Sequence, residues 1–306
     1  MNPFSFSLVA DDDLTGAAFL DLARRAEGEG YQALYCNDHG HQSLAPFPAL
    51  AAASTVTTTL RLGPRVANAD LRHPVQLAHE AATLDVLSEG RAELGVGAGW
   101  LADDYRASGA RLAGGGRRVR RFAEALDVLE PLLRGEKLSH RGEHYTAEVG
   151  SGLTTVQRPR VPLCVGAGGP RMLALAARRA DVVSVTGRSL PGGGIDGDDL
   201  TPERLDAKIA IVREAAGSRF TELRLHHVVW ECLVSPRPEA VVAAYTAGMG
   251  VDESRLRQLP GLLIGTPRDV ADQLVARRER WGLSEVSVPG ACAAQFAPVV
   301  ALLAGR

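Results

Sequence analysis

Two periods alternate along the chain. Short, mostly apolar runs bounded by turn residues lie at 4–9, 33–36, 60–66, 92–96, 161–165, 181–185, 223–229 and 285–289. Each has the length and composition of a strand. Between them, apolar residues recur three and four apart, the spacing of a helix packed on one side. Helices are expected near 14–30, 48–56, from Pro74, 117–133, 171–179, 202–216, 238–248 and 267–281, with a closing helix in 291–303.

The pattern is clearest between Ala81 and Trp100. Leu84, Val86 and Leu87 give a helix its apolar face, and Gly90 suits the left-handed residue past its end. A strand follows, and Gly97, Ala98 and Gly99 strip side chains from its carboxyl end. In parallel α/β proteins that end is where ligands bind. Eight strands alternating with helices fit one (β/α)8 TIM barrel over residues 1–306, with insertions near 140–155, which has hairpin character, and 186–201. A doubly wound open sheet is the alternative.

Composition adds exclusions. With 306 residues, 45% hydrophobic, and a net charge of -2, nothing favours nucleic acid or an anionic membrane. No apolar run is long enough to span a bilayer, and the first residues lack a signal peptide's basic and apolar regions, so a cytoplasmic protein is expected. Cys36, Cys164, Cys232 and Cys292 form no CxxC and suit reduced, buried thiols. The near-absence of lysine, with only Lys137 and Lys208, reflects composition rather than chemistry.

Several positions carry candidate chemistry. Asp38-His39 follows the second strand, where an imidazole can transfer a proton; a helix-cap Asp beside an exposed His is the alternative. His39-x-His41 lacks a third ligand at suitable spacing, so no metal is expected. Gly166, Ala167, Gly168 and Gly169 join a strand to a helix start, which suits phosphate, and Arg171 could add charge. Gly95-x-Gly97-x-Gly99 is not a dinucleotide fingerprint, because its third glycine is misplaced and Trp100 stands where a helix should begin. Asp103 and Asp104 either reach the pocket or cap the next helix. His226 and His227 alternate, so only one can point inward.

Taken in order, Asp38-His39, Arg72-His73-Pro74, residues 84–91, residues 94–100 with Asp104-Tyr105 and Gly109, Gly166–Gly169, and Gly265-Thr266-Pro267 resemble the bacterial-luciferase-like superfamily, in its branch of coenzyme F420-dependent oxidoreductases. The resemblance implies a barrel holding a flavin or deazaflavin at the strands' carboxyl ends. His39 would face the ring's reactive side, with Asp38 orienting it or touching the ring. A non-prolyl cis peptide at Arg65-Val66 is common in the family, setting Val66, Ala67 and Asn68 beside the ring, with Asn68 free to bond its edge. Gly97 and Ala98 would pack near the ring, and Gly166–Gly169 would hold the phosphate. Trp100, Asp104, His227 and Trp230 would wall the substrate pocket, along with loops 102–116 and 186–201.

Family members that oxidise a sugar phosphate carry a glutamate where this chain has Trp100, so a less charged substrate is implied: a carbonyl, imine or activated alkene. An FMNH2-dependent monooxygenase served by a separate reductase is the alternative, and a cofactor-binding protein without turnover is a third reading. Arg65, Arg72, Arg111, Arg117, Arg118, Arg120 and Arg121 are candidates for a basic groove under the F420 tail. The family's habit implies a homodimer.

Overall fold

The computed structural model describes residues 2–249 and 252–306. Every expected strand forms: β1 (Ser5–Val9), β2 (Ala33–Cys36), β3 in two pieces (Arg61–Pro64 and Ala67–Asn68), β4 (Leu94–Gly97), β5 (Leu163–Ala167), β6 (Val182–Val185), β7 (Arg224–Val228) and β8 (Leu283–Pro289). They pair in parallel, in the order β3, β2, β1, β8, β7, β6, β5, β4 and back to the second piece of β3. A sheet whose two edges belong to one strand is a barrel, and a bridge between Leu62 and Ala92 completes the ring. The open-sheet alternative is excluded. β2, β4 and β6 are buried at every residue, as strands must be when helices cover them outside and other strands face them inside.

Toward the amino ends of the strands the barrel is filled with charge. Glu93 accepts from Arg61 Nε at 2.8 Å, Arg65 Nη2 at 3.2 Å and Tyr35 Oη at 2.5 Å, while Arg224 pairs with Glu285 at 2.6 Å. Burial pushes the Glu93 carboxyl up, but the guanidiniums of Arg61, Arg65 and Arg224 outweigh it and hold it at about 2. Glu285 is raised by burial and by the Glu93 carboxylate, which together outweigh Arg224 and Arg65. Above this cluster runs a chain of hydroxyls. Ser184 Oγ and Ser287 Oγ bracket the His226 ring at 2.8 and 2.7 Å, and Ser7 Oγ continues at 2.7 Å.

The motif that ends the third helix turns out to be scaffolding. Helix Pro74–Leu87 ends through Glu89 (φ 55°) and Gly90 (φ 86°), so two residues, not one, are left-handed. Its buried Asp85 accepts from the Val156 and Gln157 amides at 2.6 and 3.0 Å, fastening the chain that returns from the first insertion. Arg91 donates to the carbonyls of Ser54, Thr57 and Leu60. These groups lie at the end of the barrel opposite the strands' carboxyl termini.

The first insertion is an antiparallel hairpin, Leu138–Arg141 with Thr146–Val149. The segment after β4, expected as a polar loop, contains a short helix, Ala102–Ser108, that buries Asp104 and Tyr105. An unexpected parallel pair, Glu231–Val234 with Leu262–Gly265, stands beside the barrel after β7. Among the described residues no helix is long and apolar enough to cross a membrane.

Candidate active site at the barrel mouth

The carboxyl ends of β2, β3 and β4 carry a tightly cross-linked group. β2 delivers Asp38 and His39. Asp38 Oδ2 accepts from the Asn68 amide and from Arg72 Nε, both at 3.0 Å, and Oδ1 from Arg72 Nη2 at 2.8 Å. Both oxygens are therefore engaged, and Asp38 works as a clamp on the end of β3. His39 Nδ1 lies 2.8 Å from Asp104 Oδ2, and Asp104 Oδ1 accepts from the Gly40 amide at 3.0 Å. Asp104 is only 6% exposed and His39 21%. A carboxylate on Nδ1 fixes that nitrogen as the donor and leaves Nε2 as the basic atom. Among the described residues, Nε2 has no hydrogen-bond partner. Trp100 meets the His39 ring edge-on at 5.5 Å, and His41 stacks on it at 5.5 Å while facing Asp12.

Between the pieces of β3 the Arg65-Val66 peptide is cis. The Val66 side chain turns toward β4 and β5. A Cβ on Gly97 would lie 2.9 Å from Val66 Cγ2, and Cβ atoms on Gly95 and Gly166 would lie 3.2 Å from the Val66 methyls. The space expected beside Gly97 and Gly166 is thus filled by Val66, which corrects the reading of a bared backbone there. Ala67 is fully buried. Asn68 is not free as expected: it is 7% exposed, and its Oδ1 accepts from the Asp70 amide at 3.0 Å. Gly99 (φ 73°) brings the chain against Tyr105 and Asn68, and Arg118 donates to its carbonyl. Ala98 is partly exposed at this rim. Tyr105 Oη donates to Asp70 at 2.8 Å, and Arg121 pairs with the same carboxylate at 3.3 Å.

Gly169 opens helix Pro170–Arg179 with no side-chain cap, and a Cβ there would meet nothing within 4 Å. Ala167 is buried in β5, and Gly168 packs tightly on the Gly187 carbonyl. Lys208, one of the two lysines, is buried beneath the turn and donates to the Gly168 carbonyl at 2.5 Å and to Asp199. A second helix start, Gly115–Leu133 with Gly114 as its cap residue, also lacks a side-chain cap. A Cβ on Gly116 would lie 3.3 Å from Arg171 Nη1, so the two starts are neighbours. The glycines at 114–116 and Lys208 were missed in the sequence, although the run Gly114-Gly115-Gly116 ahead of an arginine-rich helix was a visible signal.

Other expectations need correction. Arg65 is no part of a surface groove. Its side chain is 1% exposed, over the Tyr35 ring at 3.8 Å and beside Glu93. Arg72, Arg118 and Arg121 are tied to Asp38, Gly99 and Asp70, leaving Arg111, Arg117 and Arg120 exposed. His226 is a satisfied core residue. His227 is 4% exposed, with Nδ1 3.4 Å from the Val185 carbonyl, and does not line a cavity of about 640 Å³ that lies beyond β7 between Leu200, Tyr245 and Leu262. Burial, with Arg277 nearby, pulls its pKa down to about 4. Trp230, 53% exposed, does line that cavity. Asp103 is exposed and pairs with Arg106.

The sequence pattern of the luciferase-like monooxygenases matches residues 5–249. A protein of Nakamurella multipartita named F420-dependent glucose-6-phosphate dehydrogenase is 31% identical over 232 residues, covering 72% of this chain. The match spans 65% of that relative's length. Among solved structures, an F420-dependent secondary alcohol dehydrogenase in complex with an F420-acetone adduct superposes with TM-score 0.80 at 17% identity, over 99% of this chain and 98% of that one. EDTA monooxygenase from Chelativorans superposes with TM-score 0.79 at 13% identity, over 98% and 94%. These two likenesses speak for the fold alone.

Proposed function

This chain belongs to the luciferase-like monooxygenase family, and on that premise we propose that it is an F420-dependent oxidoreductase, exchanging a hydride between the deazaflavin and a small organic carbonyl, imine or activated alkene. The observation that carries the reading is the His39–Asp104 pair at the barrel mouth, with Nε2 unengaged. The F420-dependent name of the Nakamurella relative supports the cofactor.

The residues fit such a group. The uncapped helix starts at Gly114 and Gly169, with Arg171 between them, would hold its phosphate, because their first amides lack intrahelical partners. Val66, Ala67 and Asn68 would support the ring, kept in place by Asp38. When bound, the deazaflavin supplies the hydride at its ring carbon. His39 gives or takes the accompanying proton at Nε2, Asp104 holds the ring in the tautomer that makes this possible, and Trp100 shields the imidazole from water. Asp38, with both oxygens filled, positions and does not transfer.

Equilibrium titration with F420 and, separately, FMN tests the reading through quenching of tryptophan fluorescence. Micromolar F420 binding, with FMN about tenfold weaker or worse, is expected. Preference for FMN would move the protein to oxygen chemistry with a partner reductase. Binding of neither would overturn the reading.

A further inference from the structure

We propose that the apolar cavity beyond β7 seats the substrate, and that it selects a neutral or cationic molecule bearing an apolar ring over an anionic one. The inference rests on the oxidoreductase reading above and names the substrate class it left open. The cavity measures about 640 Å³, within the range of small-molecule sites. Leu200, Trp230, Tyr245, Leu259 and Leu262 line it, and Glu231 is the charged residue among the described lining.

Trp230 is the anchor. A Cβ on Gly261 would lie 2.5 Å from the indole Cε3 and 2.8 Å from Cζ3, so the ring rests on bare glycine backbone. It is nevertheless 53% exposed. An aromatic ring held on one side and open on the other is a stacking platform for another ring or a cation.

Charge sets the selection. The described lining contains no Arg, Lys or His to pair with a phosphate or carboxylate. Glu231, beside Tyr245, would repel either anion in these apolar surroundings. The loop 186–201 links the cavity to the proton-handling side. Gly197 and Leu200 line the cavity, while a Cβ on Gly193 would lie 2.8 Å from the Ala102 amide, two residues past Trp100. The cavity is therefore unsuited to a phosphorylated sugar of the kind named for the Nakamurella relative.

Calorimetric titration of the F420-loaded protein with matched probes tests this: 4-phenylcyclohexanone, 4-phenylcyclohexylamine, 4-phenylcyclohexanecarboxylate and glucose 6-phosphate. The ketone and the ammonium should bind at least about tenfold more tightly than the carboxylate, with no glucose 6-phosphate binding. Trp230→Ala should weaken the ketone about tenfold and Trp230→Phe should restore most of it, F420 affinity staying within about twofold. Glu231→Gln should narrow the gap between ketone and carboxylate. Equal binding of ketone and carboxylate, or an unchanged ketone affinity in Trp230→Ala, would overturn the inference. Ketone binding by a protein that fails to bind F420 would sink the oxidoreductase reading and leave the cavity's ligand class standing.

Discussion

On the β2–β4 side of the barrel mouth, polar groups answer one another: Asp38 with Arg72 and the Asn68 amide, Asp104 with His39 and Gly40, Asp70 with Tyr105 and Arg121. On the β7 side, Trp230, Tyr245 and three leucines surround a cavity of about 640 Å³, with one carboxylate, Glu231, among the described lining residues. The first side fixes directions and the second leaves volume. A proton donor must be held within about half an ångström of its productive position, and cross-linked hydrogen bonds achieve that. A ring-shaped ligand needs area and shape, which apolar side chains supply with little directional demand.

The contrast can be broken most severely from below. Glu93 joins Arg61, Arg65 and Tyr35 toward the amino end of the barrel, so Glu93→Ala should destabilise by about 3–5 kcal/mol, because it leaves the buried Arg65 guanidinium without its carboxylate and Tyr35 Oη without its acceptor. Urea unfolding reads this, and a loss under about 1 kcal/mol would show that the network carries little.

Acid tests the β7 side. His227 is held near 4 against an ordinary 6.5, so below 6.5 the unfolded chain takes a proton that the folded chain refuses. Stability should therefore fall as pH drops from 6.5 to 4, by up to about 3 kcal/mol from this group. His227→Gln should flatten that part of the curve, and an unchanged slope would remove the histidine from the account.

Asp38→Ala should cost about 2 kcal/mol by freeing Arg72 and the Asn68 amide. Trp230→Ala on the open side should cost under about 1 kcal/mol, since the residue is already 53% exposed. Comparable losses from the two would dissolve the distinction. The smallest effect belongs to Leu87, 55% exposed at the far end of the barrel, where Leu87→Ser should stay within about 0.5 kcal/mol.

The sequence carried these two sides unequally. The barrel was legible because its strands are short apolar runs punctuated by glycine and separated by helical spacing. The place of Asp38-His39 at the carboxyl end of β2 was legible because the pair follows an apolar run. The partners were not: Asp104 sits 65 residues from His39 and reads equally well as a cap, and Arg72 joins Asp38 only once β2 and β3 are neighbours. Arg65 looked like a surface charge because nothing in one dimension tells which way a side chain turns at a bulge. The cavity was hidden further, since residues 231–234 follow β7 almost directly and 262–265 lie outside the eightfold strand–helix alternation, so neither shows as half of a separate pair, and Gly261 shows its purpose only under the Trp230 ring.

In the proposed reaction His39 acts in the chemistry while the residues around it hold the cofactor's place. Turnover and F420 affinity measured side by side for the wild type, His39→Ala and Asp104→Asn test it most directly. Turnover should fall about 100-fold or more for His39→Ala and less for Asp104→Asn, with F420 affinity within about threefold in both. Parallel loss of turnover and affinity, or turnover that survives without the imidazole, would contradict it.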